Sequence, residues 1–230
     1  MAQDVAEFAQ KHNLIFNDEA LLRQAFTHRS YLNEHREETR GHNERLEFLG
    51  DAVLELASTR FLYDKFPLHP EGDLTAYRAA LVNAVTLSEV AGLLGMNDYL
   101  LLSKGEAKDT GRARQFLLAN AIEALIGAIY LDQGFEAAER FVAEHLFPKI
   151  DEIIKQKLWQ DAKSLLQEKA QEFEGATPTY TVVRETGPDH DKRFVVSVNI
   201  RSTTVAQGEG RSKQDAEQSA ARNALTLKGW

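Results

Sequence analysis

The sequence predicts an all-α domain followed by a small α+β domain with the element order α-β-β-β-α. Apolar residues recur at helical spacing up to about Lys157. Runs rich in β-forming residues appear after Trp159. The net charge of −8 falls on the residues before Trp159, because the rest has equal numbers of basic and acidic residues. We therefore place the first domain at residues 1–156 and the second at 160–230.

In the first domain, four long helical segments are predicted. Their apolar residues fall on one helical stripe, as Leu46, Leu49, Val53 and Leu56 do. Gly134 separates the last two segments, because glycine commonly ends a helix. The polar segment 103–112, which contains two glycines, predicts a loop. The helical segments are 43–66, 71–94, 114–132 and 135–157.

The second domain begins and ends with a predicted helix. Three short runs of β-forming residues lie between them, and a charged, turn-prone segment separates the first two runs. This order allows both helices to cover one face of a three-stranded sheet. The predicted elements are helix 161–173, strands 179–184, 194–200 and 203–207, and helix 213–227.

Composition excludes several classes of protein. The chain has 43% hydrophobic and 27% charged residues, which is typical of a globular protein rather than a disordered one. It has no cysteine, which excludes disulfides, thiolate metal sites and a cysteine nucleophile. No apolar run approaches the roughly 20 residues of a membrane helix, and the first residues show no signal-like apolar core. These features predict a cytoplasmic protein with no membrane partner.

Two pairs of oxygen-bearing side chains lie on otherwise apolar helices. Glu47 and Asp51 are four residues apart, and Asn120 and Glu123 are three apart, so each pair shares a helical face. Gly50 would allow a second helix to approach closely, and packing the two helices together would form one cluster of oxygens that suits Mg²⁺. The alternative is that each pair is a solvated helix face, because charged residues are mostly exposed. Spacing alone does not choose between them.

The segment NERLEFLGDAVL (43–54) resembles the signature of the ribonuclease III family. THRSYLNE (27–34), EGDLTAYRAALVN (71–83) and ANAIEALIGAIYLDQG (119–134) resemble its other blocks in the same order, and the similarity covers essentially the whole chain. The resemblance implies a homodimeric endonuclease that cuts double-stranded RNA with a Mg²⁺-activated water, with Mn²⁺ as a substitute. It implies products with a 5′-phosphate and a short 3′ overhang.

The resemblance also implies the site residues. In that family the positions of Glu47, Asp51, Asn120 and Glu123 hold the metal, which makes Asp51 and Glu123 the predicted catalytic residues. The position of Phe48 is a dimer contact. The family usually has aspartate where this chain has Asn120, and an amide oxygen binds a cation without adding negative charge. We therefore expect weaker metal binding, and the alternative function is a double-stranded RNA-binding regulator that cleaves poorly.

The C-terminal region resembles a double-stranded RNA-binding domain in three segments, 161–171, 187–194 and 208–225. Such domains read the shape, 2′-hydroxyls and phosphates of an A-form duplex. By resemblance, Gln167 and His190 reach successive minor grooves. Ser212 and Lys213 open the last helix, where backbone amides and a cation favour phosphate. The family often has a second basic residue where this chain has Gln214.

Three histidines, His28, His35 and His42, occur at intervals of seven. A zinc site is the alternative at such a spacing. We interpret the set as incidental, because the three histidines straddle a loop and no cysteine accompanies them. His28 belongs to the THRS block and is a candidate to face the RNA cleft.

Overall fold

The computed structural model describes residues 3–38, 41–187 and 192–230. The chain divides into two compact units, Met1–Trp159 and Gln160–Trp230. The first unit is helical and the second is α+β, which confirms the predicted fold class. Trp159 packs on the core of the helical unit, where its ring lies 4.9 Å from that of Tyr77.

The helical unit is built around two long helices, α4 and α7, which have 22 residues each and pack against each other. Helices α2, α6 and α8 also pack on α7, so most side chains from Ala119 to Ile129 are buried. Length and composition alone would let α7 cross a membrane, but the core helix of a globular protein passes the same test. The helices are α1 Val5–Lys11, α2 Glu19–Ala25, α3 Arg29–Glu34, α4 Glu44–Lys65, α5 Glu71–Leu81, α6 Ala84–Leu93, α7 Arg112–Gln133, α8 Phe135–His145 and α9 Lys149–Lys155.

Two of the predicted helices are each divided in the structure. Segment 71–94 forms α5 and α6, because Asn83 interrupts it and caps α6 by accepting a hydrogen bond from the amide of Thr86 at 3.0 Å. Segment 135–157 forms α8 and α9, with Pro148 immediately before α9. Proline has no amide hydrogen and its ring clashes with the preceding turn, so it does not continue a helix.

The second unit consists of helix α10 Ala162–Glu174, strands β1 Thr179–Thr186, β2 Arg193–Ile200 and β3 Thr203–Gly210, and helix α11 Lys213–Lys228. The strands form an antiparallel sheet in the order β1-β2-β3. Leu166 and Ala170 of α10 share a core with Val198 of β2 and Ala220 of α11.

Helix α11 lies against the backbone of β3. A Cβ atom added to Gly208 would lie 2.1 Å from the amide nitrogen of Ala220, and one added to Gly210 would lie 2.4 Å from that of Ala216. Both distances are shorter than any van der Waals contact, so glycine at these two positions permits the helix to dock. This docking sets the position of the N-terminus of α11.

Candidate active site

Helices α4 and α7 cross at two glycines. A Cβ atom on Gly50 would lie 1.8 Å from the carbonyl oxygen of Glu123, and one on Gly127 would lie 2.2 Å from the carbonyl oxygen of Leu46. The two backbones are therefore in direct contact, as the position of Gly50 suggested. Glu123 of α7 lies opposite Gly50 of α4. On α4, Glu47 comes three residues before Gly50, and Asp51 comes directly after it.

The crossing brings three carboxylates into mutual electrostatic influence. Burial raises the pKa of Glu123 to about 8, and the charges of Asp51 and Glu47 add to the shift. Burial also raises the pKa of Glu47, with Glu44 and Asp51 adding to it. Desolvation and nearby like charges both disfavour a carboxylate anion. At neutral pH Glu123 therefore holds a proton for much of the time.

Asn120 lies on the same side of the crossing as Glu47. A hydrogen bond from its amide to Glu47 opposes the other influences and lowers the pKa of that carboxyl. The two residues line a cavity of about 40 Å³ together with His28, Asn43 and Glu44, and leucines close its other side. We call it the His28 cavity. It joins residues from the THRS block, the start of α4, the segment before the 103–112 loop, and α7.

The side chains of the cluster do not converge on one point. Among residues 3–38, 41–187 and 192–230, no three His, Cys, Asp or Glu side chains are arranged to hold a metal ion. Within the same described residues, His28, His35 and His42 do not form such a group. Glu47, Asp51 and Glu123 are close enough to shift one another's pKa, and Asp51 is exposed while the other two are partly buried.

The chemistry of this donor set fits a hard divalent cation. Three carboxylates and an amide oxygen are the ligand types that Mg²⁺ and related ions take in proteins. None of the ion pairs among the described residues includes Glu47, Asp51 or Glu123. A cation would offset the like-charge repulsion that raises the pKa of Glu123.

Two family descriptions match the chain. Residues 18–150 match the family described as Ribonuclease-III-like, and residues 162–227 match the double-stranded RNA binding motif. The chain is 47% identical over 214 residues to the protein named Ribonuclease 3 of Bdellovibrio bacteriovorus, covering 93% of this chain and 91% of that relative. The chain belongs to the ribonuclease III family. It is accordingly a metal-dependent endoribonuclease.

Other comparisons agree with this assignment. The Ribonuclease 3 of Geobacillus kaustophilus is 48% identical over 219 residues, covering 95% of this chain and 89% of that protein. The solved nuclease domain of the ribonuclease III of Campylobacter jejuni is 38% identical, with a TM-score of 0.57, and covers 63% of this chain and 99% of its own. The similarity to the family thus extends over both units.

The α+β unit of this ribonuclease III family member presents the remaining predicted RNA contacts at its surface. Gln167 is exposed on α10, and Lys213 is exposed at the first position of α11. Ser212 is the N-cap of α11 and accepts a hydrogen bond from the amide of Asp215 at 3.1 Å. The Lys213 ammonium lies 5.9 Å from the ring centre of Phe194. His190 lies outside the described residues.

Phe48 is 81% exposed on α4, next to Glu47. Leu56 was predicted on the same stripe as the buried Leu46 and Val53, but it is 58% exposed, and Tyr63 of this helix is 71% exposed. Phe48, Leu56 and Tyr63 are spaced by eight and seven residues, which places them along one side of the helix. This stripe of three residues is an apolar surface beside the acidic cluster, and we call it the α4 stripe.

Sequence reasoning did not identify three features of the site. Gly127 lies against the backbone of α4, as Gly50 lies against that of α7. A glycine inside an apolar helix is a sequence feature that could have indicated this close contact. Arg114 donates to the carbonyl oxygens of Glu106, Ala107 and Asp109 and so holds the 103–112 loop. Glu44 lines the His28 cavity.

Proposed function

We propose that the chain hydrolyses phosphodiester bonds of double-stranded RNA with Mg²⁺ bound at the α4–α7 crossing, and that Mn²⁺ substitutes. The observation that carries this proposal is the close crossing at Gly50 and Gly127, which brings Glu47, Asp51 and Glu123 together and raises the pKa of Glu123 to about 8. Holding these acids together without a positive charge reduces the stability of the fold. Such groups with shifted pKa values are typical of functional sites.

Each residue of the cluster has a proposed role. Glu47, Asp51, Asn120 and Glu123 would hold the cation, which when bound lowers the pKa of water and neutralises charge on the phosphodiester. Asp51 and Glu123 are the proposed catalytic residues. Because the pKa of Glu123 is raised to about 8, this residue would have to release its proton to hold a cation near neutral pH. Asn120 contributes an oxygen without negative charge.

We propose that residues 1–156 cut and dimerise, and that residues 160–230 bind the duplex through Gln167, His190, Ser212 and Lys213. The proposed products have a 5′-phosphate and a short 3′ overhang. The proposed natural substrates are ribosomal RNA precursors and messenger RNA in the cytoplasm. These details rest on the family resemblance.

The proposed active form is a homodimer, in which two identical sites cut the two strands of a duplex. Phe48 and the α4 stripe support this proposal, because an aromatic ring 81% exposed beside the site favours a partner surface. The nuclease domain of the Campylobacter jejuni relative has a region involved in dimer formation. Phe48→Ala should weaken the dimer when its dissociation constant is measured by sedimentation, and an unchanged constant would exclude Phe48 as a contact.

Cleavage of a long RNA duplex on a gel, with and without Mg²⁺, tests the function. Glu123→Gln should lower the cleavage rate by about 100-fold or more while duplex binding stays close to that of the parent. Glu136→Gln is the matched control, because Glu136 is an exposed acid on the neighbouring helix α8. Equal rates in Glu123→Gln and the parent would remove Glu123 from the site. A mobility shift without products would favour the RNA-binding regulator that Asn120 suggests.

A further inference from the structure

His28 is held in a fixed orientation just before α3. Its backbone amide donates to the carbonyl oxygen of Leu101 at 3.0 Å, and Asn43 donates to the carbonyl oxygen of Thr27 at 2.9 Å. The imidazole is the N-cap of α3, because its Nδ1 accepts a hydrogen bond from the amide of Ser30 at 3.3 Å. A capping role alone is met better by serine, threonine, aspartate or asparagine.

The hydrogen bonds around the ring determine its tautomer. The backbone amide of Ser30 can only donate, and it points at Nδ1 from 3.3 Å. With Nδ1 as the acceptor, the Ser30 hydroxyl, 2.8 Å away, also donates to it, while Ser30 Oγ accepts from the amide of Ser103 at 3.1 Å. Nδ1 is therefore the acceptor, and the ring proton is on Nε2. Burial lowers the pKa of His28, so the ring is neutral near pH 7.

The Nε2 hydrogen is available to a ligand. In residues 3–38, 41–187 and 192–230, the hydrogen bonds of the His28 ring are those of Nδ1. The ring lines the His28 cavity beside Glu44, Glu47 and Asn120. This cavity therefore combines one neutral N–H donor with carboxylate acceptors.

Charge and hydrogen bonding select the group that the cavity can take. Its volume of about 40 Å³ is enough for a small polar group such as a hydroxyl. The carboxylate of Glu47 disfavours a phosphate, and that of Glu44, which pairs with Arg29 at 3.6 Å, does so less. A hydroxyl group is both donor and acceptor, so it can bond to the imidazole and to a carboxylate at the same time. In a nucleic-acid duplex the ribose 2′-hydroxyl is such a group, and it distinguishes RNA from DNA.

We propose that His28 is a specificity-determining residue that donates its Nε2 hydrogen to a ribose 2′-hydroxyl of the substrate, whose own hydrogen is accepted by Glu44. Glu44 is assigned this role because Glu47 is assigned to the cation. The inference rests on the proposed function. It adds recognition of the sugar beside the cleaved bond to the shape recognition of the C-terminal unit.

Two substitutions separate this donor from the helix cap. In His28→Asn the side-chain oxygen takes the place of Nδ1, so the cap remains and the donor is lost. In His28→Gln the amide nitrogen takes the place of Nε2, so the donor remains and the cap is lost. His35→Asn, at the other end of α3, is the control, because the His35 ring stacks on Tyr31 and lies outside the cavity.

The full-length chain is tested on an RNA duplex with one defined cut, in which single ribose units near the cut are replaced one at a time by 2′-deoxyribose. With the parent enzyme, replacing the ribose at one position should lower the cleavage rate by about threefold to tenfold, which is the effect of losing one hydrogen bond. His28→Asn should cleave the unmodified RNA duplex more slowly by a similar factor. Its rate should not fall further when the ribose at that position is replaced. His28→Gln should lose less rate and keep the sensitivity, and His35→Asn should match the parent.

The outcomes distinguish this inference from the proposed function. A parent that cuts RNA without depending on any single 2′-hydroxyl overturns the inference alone. So does His28→Asn if it matches the parent rate, or if it is slower but keeps full sensitivity to the deoxy position. A defect confined to His28→Gln would assign His28 to capping only. A parent that does not cut the all-RNA duplex overturns the proposed function as well.

Discussion

The acidic cluster of the helical unit differs from the paired acids, which both units contain. In the helical unit, Glu47, Asp51 and Glu123 lie close together with no basic partner among the described residues, and burial raises the pKa of Glu123 and Glu47. In the α+β unit, acids lie beside bases, as in Lys163–Glu217 at 2.5 Å. Exposed pairs contribute little to stability. The unpaired acids reduce stability, and they are the groups that a cation can use.

The same contrast appears in single acids of the two units. Burial alone would raise the pKa of Asp161, but hydrogen bonds from Gln218 and from the amides of Ser164 and Lys163 outweigh it and lower that pKa. Asp161 caps α10, and its contribution to stability is lost as the pH falls. For Glu123, whose pKa is raised, the stability is lost as the pH rises. The helix-capping carboxylate and the carboxylate of the acidic cluster thus respond to pH in opposite directions.

The largest expected effect comes from separating the two helices that create the acidic cluster. In Gly127→Ala the new Cβ would lie 2.2 Å from the carbonyl oxygen of Leu46, so α4 and α7 must move apart. We expect a loss of about 3 kcal/mol in the free energy of unfolding, measured with urea, together with loss of cleavage.

Gly72→Ala is the matched control for this substitution. Gly72 lies in α5, and a Cβ there meets nothing within 4 Å. Alanine should therefore be neutral or slightly stabilising at that position. If the two variants are equally stable, the helices are not held at the distance described.

A second effect concerns the pH dependence of the metal-free protein. The stability associated with the raised pKa of Glu123 is fully present below pH 4.5 and is lost as the pH rises through about 8. Allowing for solvent screening, we expect a loss on the order of 2 kcal/mol between pH 5 and pH 9 in urea unfolding with a chelator present. Glu123→Gln should reduce this slope, and an unchanged slope would show that Glu123 does not carry the shift.

A third prediction concerns the charge of the cluster. Asn120→Asp adds a fourth negative charge and a carboxylate oxygen, which Mg²⁺ prefers to an amide. The Mg²⁺ concentration for half-maximal cleavage should fall about tenfold, which corresponds to about 1.4 kcal/mol. A titration of initial rates measures it. If the new carboxylate takes up a proton instead, the variant will need as much Mg²⁺ as the parent. That result would show that Asn120 is not a metal ligand.

The smallest expected effect lies in the α+β unit. Lys213→Ala should weaken RNA binding a few-fold and reduce the slope of log affinity against log salt by about one, because one phosphate contact is lost. Lys228→Ala is the control at the other end of α11, where the lysine pairs with Glu174 at 2.6 Å. Filter binding at several salt concentrations measures both, and equal slopes in the two variants would remove Lys213 from the interface.

Most of the secondary structure could be predicted from the sequence, because the spacing of apolar residues is a local property. The strands and α10 differ from the predicted segments only at their ends. The two missed breaks had local signals as well. Asn83 is a preferred N-cap residue and Pro148 cannot continue a helix, so both errors came from giving the apolar pattern more weight than these residues.

The sequence by itself determined the two units, their classes and the two acidic pairs, since each depends on neighbouring residues. Only the tertiary structure decided that Gly127 meets α4, that the pKa of Glu123 is about 8, and that His28 shares a cavity with Glu44, Glu47 and Asn120. These facts depend on the register of α4 against α7 and on burial. Both arise from contacts between residues far apart in the chain, which no local spacing records.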